Sequence, residues 1–262
     1  MDLGTHDKHA LVLGASQGLG LATAQALLTE GARVTLSGRS PERLEAVRAA
    51  LPAVQRASCF IALADLAEAD AAAVISARAQ ERGGPVDILV NNTCGLPPGK
   101  PSAITSEAMA SYFSSMVTPV IALTLNLIAG MRMRGWGRVL TIASSGVVQL
   151  ITHLPMSNAL RSTLVGFMKS LSGEVAAAGV TINLVLPGRI ATGRTRSIDA
   201  AQALTSGKSA DEIAKAPTAI IPAGRYGTPE EFAAAVTFLA SSQASYMAGG
   251  LVRIDGGAIR SV

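Results

Sequence analysis

Residues 13–20, LGASQGLG, set Gly14, Gly18 and Gly20 in the spacing Gly-x-x-x-Gly-x-Gly, with Ser16, Gln17 and Leu19 filling the turn between them. With no side chains at these points, backbone N–H groups can approach a pyrophosphate, and a helix opening at the turn directs the positive end of its dipole at the same anion. Arg39, in SGRS about twenty residues further on, stands where an NAD site would carry an acid for the ribose 2′-hydroxyl. No acid is present there. A guanidinium pairs instead with a 2′-phosphate, so the expected cofactor is NADP(H), with NAD(H) the lesser alternative. A glycine triplet can also be a plain tight turn and Arg39 a solvated strand-end cation, so the surrounding elements must decide.

Short runs rich in Val, Ile and Leu recur at Ala10–Leu13, Arg33–Leu36, Cys59–Leu63, Val86–Val90, Arg138–Ile142, Thr181–Leu186 and Leu251–Ile254. Helix-period segments separate them, with signals such as Ser40 before Pro41 and Gly31 closing the first helix. This alternation predicts an α/β fold of the Rossmann type, a doubly wound seven-stranded parallel sheet with helices on both faces, as one domain over 1–262. The glycine turn then lies between the first strand and the first helix, where a phosphate cradle belongs. A late helix opens at Thr228-Pro229-Glu230-Glu231 with a capping box. From 191 to 222 the pattern turns irregular and rich in small residues, which predicts a substrate flap.

Composition excludes several function classes. The chain has 262 residues, 49% hydrophobic, enough for a large core, and its formal net charge of +4 is spread singly, without the basic run of a nucleic-acid or membrane-surface binder. Cys59 and Cys94 form no CxxC pair, and His6, His9 and His153 lack metal-ligand spacing, so no metal and a reduced, cytoplasmic setting are expected. No secretory signal is expected at the start. The apolar stretch Met116–Met131 carries Thr118, Thr124 and Asn126 and falls short of the roughly 20 residues of a membrane span, so it reads as a buried helix.

In these motifs and several others the chain resembles the short-chain dehydrogenase/reductase family, which reduces ketones or oxidises alcohols with a nicotinamide. Asp65 and Leu66 in LADL match the adenine contact, and Asn91 in ILVNN matches the residue that stabilises the central strand beside the adenosine ribose. Pro187 and Gly188 in LVLPGRIAT match the turn after the sixth strand, with Ile190 and Thr192 where the nicotinamide carboxamide is held. IPAGRYGTPEEFAAAVTFLAS and GGLVRIDGG are similar to the closing helix and strand of 3-oxoacyl-thioester reductases. The resemblance implies a small carbonyl or alcohol substrate and a homotetramer or homodimer joined through helices spanning Ser106 to Arg134 and Asn158 to Ala178.

The same resemblance places the acid-base residues. Ser144 takes the serine position, Ser157 stands for the tyrosine, Arg161 for the lysine and Met116 for the asparagine, while the Asn-Asn-Ala-Gly motif becomes Asn91-Asn92-Thr93-Cys94. Ser157 and Arg161, four apart on a helix, share a face. A phenol titrates near ~10, an aliphatic hydroxyl is a far weaker acid and a guanidinium does not release its proton, so losing this general acid implies about 10² to 10⁴ in rate. His153, in the loop entering that helix, is a weak substitute donor. Cys94 reads as a small buried thiol, and Tyr226 and Tyr246 as structural. Three functions remain open: an NADP(H)-dependent oxidoreductase with an atypical catalytic site, a catalytically silent nucleotide-binding sensor or partner subunit, and a non-redox dehydratase or isomerase using Ser144, Ser157 and Arg161 as an oxyanion pocket.

Overall fold

A computed structural model describes residues 2–206, 209, 213 and 218–261. Seven strands, β1 (His9–Leu13), β2 (Arg33–Gly38), β3 (Cys59–Leu63), β4 (Ile88–Asn91), β5 (Gly137–Ile142), β6 (Val180–Pro187) and β7 (Leu251–Ile254), form one sheet. Every pairing is parallel and the order is β3-β2-β1-β4-β5-β6-β7, as the alternating pattern predicts. Successive strand residues face opposite sides, so each strand divides between two cores. Leu11, Leu13, Leu89, Val139, Leu184 and Leu186 pack into one, and Ala10, Val12, Ile88, Val90, Leu140 and Val185 into the other.

On one face lie α1 (Gly18–Thr29), α2 (Pro41–Ala49) and a late helix, α9 (Pro229–Leu239); on the other lie α4 (Ala71–Gly83), α5 (Ser106–Met116), α6 (Thr118–Met133) and α7 (Pro155–Val175). A short helix, α3 (Ala53–Ala57), precedes β3. Helix α9 carries the anticipated box: Thr228 Oγ1 accepts from Glu231 N, and Glu231 accepts from Thr228 N. The span Ser106–Met133 is long and apolar enough by composition to cross a membrane. It is nevertheless broken at Val117, where Pro119 cannot donate in the first turn of α6, and it buries Met116, Val117, Val120, Leu123 and Leu127 against the sheet.

Segment 191–222 departs from its expected irregularity. A helix of 14 residues, α8 (Gly193–Ser206), occupies its first half, while 207, 208, 210–212 and 214–217 lie outside the described residues. No apolar stripe announces α8, because a buried position on it is the polar Asp199, 6% exposed. Its start rests on Thr192 Oγ1, which accepts from Thr195 N.

Candidate active site

The strand order reverses between β1 and β4, and ligands of open α/β sheets bind outside the carboxyl ends of the strands at such a point. The glycine turn sits there. Gly14 adopts φ +59°, a left-handed conformation that favours glycine, and a Cβ on Gly20 would overlap the carbonyl oxygen of Gly14. Only bare backbone therefore permits this turn. Helix α1 begins without a side-chain cap at Gln17, which leaves its first N–H groups directed outward as an anion cradle. A side chain on Gly18 would come within 3.9 Å of Thr192, so the turn after β1 and the segment after β6 meet across the crevice.

The other positions named from sequence fall around that crevice. Arg39 is exposed directly after β2 and has no ion-pair or hydrogen-bond partner among the described residues. Asp65 follows β3, its carboxylate accepting from Ala67 N, and Leu66 is half-buried against the core. Asn91 is buried and donates to Thr124 and Thr141, bracing the end of β4 against α6 and β5. Pro187 ends β6; a Cβ on Gly188 would come within 2.6 Å of Asp255 Cα, and Ile190 is buried and bridges to Gly227. These residues suit a dinucleotide: a glycine cradle for the pyrophosphate, and a free guanidinium at the ribose end.

The three acid-base candidates converge beyond the ends of β5 and β4. Ser144 Oγ accepts from Gly146 N at 3.0 Å, starting a short 3-10 turn at Ser145–Val147. Arg161, 8% exposed, donates through Nε to Ser157 Oγ at 3.3 Å, through Nη1 to Ile142 O at 2.9 Å and through Nη2 to Cys94 O at 3.2 Å. Burial pulls its pKa down to about 10, a fall opposed by Cys94 and assisted by Arg194, so it stays charged at neutral pH. Each serine oxygen thus accepts one N–H, and its own O–H proton is left to donate to another oxygen.

Sequence reasoning placed Cys94 in the interior, and the structure corrects this: the chain leaves the sheet at Asn91, and Cys94 lies exposed in the loop above it. His153 is exposed in the turn before α7. Tyr226 joins Arg189 and Asp199 in a polar cluster, and Tyr246 is fully exposed.

A family model described as Enoyl-(Acyl carrier protein) reductase matches residues 14–258. Oxidoreductase YvrD of Bacillus subtilis is 33% identical, with both chains covered in full. The 3-oxoacyl-[acyl-carrier-protein] reductase FabG of Vibrio cholerae is 34% identical over 95% of this chain and 96% of its own. Among solved structures, L-sorbose reductase from Gluconobacter frateurii, complexed with NADPH and L-sorbose, superposes with TM-score 0.95 at 28% identity over the full length of both chains. The chain belongs to the short-chain dehydrogenase/reductase family.

Within that family it is an oxidoreductase of the 3-oxoacyl-carrier-protein-reductase-like branch. Three residues around the crevice escaped the reading of the sequence. Asn92 donates to Gly14 O at 3.4 Å and packs behind Gly14 and Gly20, tying β4 to the glycine turn. Asn158 donates to Ile151 O at 2.9 Å and abuts Gly146, holding the loop that carries Ser144. Arg194, in the first turn of α8, reaches over to Leu96 O. Adjacency to Asn91 and Ser157 was the available signal for the first two; Arg194 had none.

Proposed function

We propose that this short-chain dehydrogenase/reductase reduces a carbonyl, or oxidises the matching alcohol, with NADP(H), and that Ser144 and Ser157 bind the reacting oxygen. The observation that carries this reading is the Arg161 Nε bond into Ser157 Oγ, which leaves the hydroxyl proton of Ser157 to donate to another oxygen beside a fixed cation. The solved structures of L-sorbose reductase and of actinorhodin polyketide ketoreductase, at 28% and 31% identity, hold NADPH, which supports the same cofactor here.

The backbone of Gly14, Ser16, Gln17, Gly18, Leu19 and Gly20 would hold the pyrophosphate, Arg39 the 2′-phosphate, Asp65 and Leu66 the adenine, and Ile190 and Thr192 the carboxamide, with Asn91, Pro187 and Gly188 shaping the crevice. NADP(H) supplies the hydride. Ser144 and Ser157 donate to the carbonyl oxygen, and Arg161 stabilises the negative charge that grows on it. The proton that completes the alcohol leaves Ser157 and is replaced from solvent. Because that hydroxyl is a weak acid, turnover runs about 10² to 10⁴ below a tyrosine-bearing relative. A homodimer or homotetramer in the cytoplasm completes the reading.

Calorimetric titration with NADPH and NADH, repeated on Arg39→Ala, tests the cofactor assignment. Tighter NADPH binding that the variant loses, followed by NADPH oxidation on a carbonyl panel, is the expected result. Binding without oxidation of any carbonyl would replace this reading with that of a silent nucleotide-binding protein, in which Arg161 serves to fasten the carbonyls of Ile142 and Cys94. No binding of either nucleotide would remove both.

A further inference from the structure

We propose that Arg194 selects substrates bearing a carboxylate, so that the carbonyl compound reduced here is an oxo acid. The inference rests on the oxidoreductase reading above and names its substrate class. Arg194 stands two residues after Thr192 and extends from α8 to the loop beyond β4, where Nη2 donates to Leu96 O at 2.7 Å. Its guanidinium lies flat on Gly95, in space that any side chain at 95 would occupy. The loop is thus held by two cations, Arg161 on the carbonyl of Cys94 and Arg194 on that of Leu96. Arg194 is the exposed one, and it meets the loop two residues beyond the carbonyl through which Arg161 links that loop to Ser157.

The charge inventory of this corner is one-sided. Among the described residues neither Arg161 nor Arg194 forms an ion pair with a carboxylate. Asp199, the acid five residues further along α8, is already engaged by Arg189 at 3.3 Å and by Tyr226 at 3.2 Å. Among the described residues Arg194 has no acidic partner, and one of its five N–H donors is used. Two cations in a partly desolvated crevice, one with donors in the fork geometry of a carboxylate, make a site for an anion. A substrate whose carboxylate meets Arg194 places its carbonyl toward Ser144 and Ser157.

The test compares pyruvate, acetoacetate and levulinate with their methyl esters as oxidants of NADPH, using the full-length protein, Arg194→Met and Arg194→Lys. The acids are expected to exceed their esters by about 10- to 100-fold in kcat/KM, the worth of one charged hydrogen-bonded pair. Arg194→Met should bring that ratio toward one through KM, with the NADPH dissociation constant unchanged, and Arg194→Lys should keep part of it. Esters reduced as well as acids, or a ratio unmoved by Arg194→Met, would overturn the proposal. If no carbonyl is reduced, the oxidoreductase reading fails by itself, and the same acids are titrated into the NADPH-loaded protein. Acid binding that Arg194→Met abolishes would sustain the anion site, whereas equal or absent binding of acids and esters would end it.

Discussion

Arg161 shows how a guanidinium differs in physical task from the lysine that the family resemblance leads one to expect at this position. A lysine presents three donors on a flexible stem, whereas the guanidinium is a rigid fork, and here it fastens the end of β5, the Cys94 loop and Ser157 at once. Arg161→Met should therefore leave the carbonyls of Ile142 and Cys94 without donors, at about 1–3 kcal/mol each. Thermal unfolding is expected to fall by several degrees, at about 2–4 °C per kcal/mol for a chain of this size. An unchanged Tm would show that Arg161 serves chemistry alone. His9 provides a pH-dependent counterpart. It is fully buried, and because Gly84 O can only accept, Nδ1 donates to it and Nε2 accepts from Thr35. Desolvation holds its pKa below the usual 6.5. Between the lowered value and 6.5 the unfolded chain binds the extra proton, so stability rises with pH through that window and is lost as pH falls through it. His9→Gln should flatten the stability profile between neutral pH and pH 5, as read by urea unfolding. Glu231, held down at about 2 by Arg225, titrates well below that window.

Among the elements, α8 depends most on polar contacts. Asp199 on α8, Arg189 after β6 and Tyr226 before α9 form a three-way cluster, with the Asp199 carboxylate almost wholly buried. Two of its members flank the Ile190–Gly227 bridge, so the cluster fixes the helix to the segment that carries Thr192. Removing the charge leaves Arg189 with a weaker partner. Asp199→Asn is expected to speed limited proteolysis within 191–222 and to raise KM for the carbonyl substrate more than it weakens NADPH binding. Cleavage at the wild-type rate would show that α8 is held by other contacts. At the break between α5 and α6, Met116 is 1% exposed and packs in the core, so an apolar side chain anchors this break against the sheet.

At the scale of the whole molecule, apolar side chains remain outside the two cores. Phe113, Leu125 and Met133 on α5 and α6 are exposed, and Gly166 and Gly173 on α7 have open space above them into which another helix can settle. Tyr246, Met247 and Leu251 form a second exposed group near β7. Sedimentation equilibrium is expected to give a dimer or tetramer, and Phe113→Arg to shift it toward smaller species by placing a charge in the helical interface. A monomer at every concentration would exclude both faces as self-association surfaces.

The hydrophobic periods and turn residues of this chain determine the order of its strands and helices, because burial in a parallel sheet requires continuous apolar runs and α/β crossovers require caps and glycines at set points. Hence the seven strands, the glycine turn and the capping box at Thr228 are legible without coordinates. Helix α8 is not, because its buried contact is Asp199, whose partners Arg189 and Tyr226 lie 10 and 27 residues away. The exposure of Cys94, the three carbonyl and hydroxyl partners of Arg161, and the reach of Arg194 to Leu96 across 98 residues belong likewise to tertiary structure. Local sequence sets backbone preference and periodicity; which donor meets which acceptor across the crevice depends on elements brought together only when the sheet closes its order.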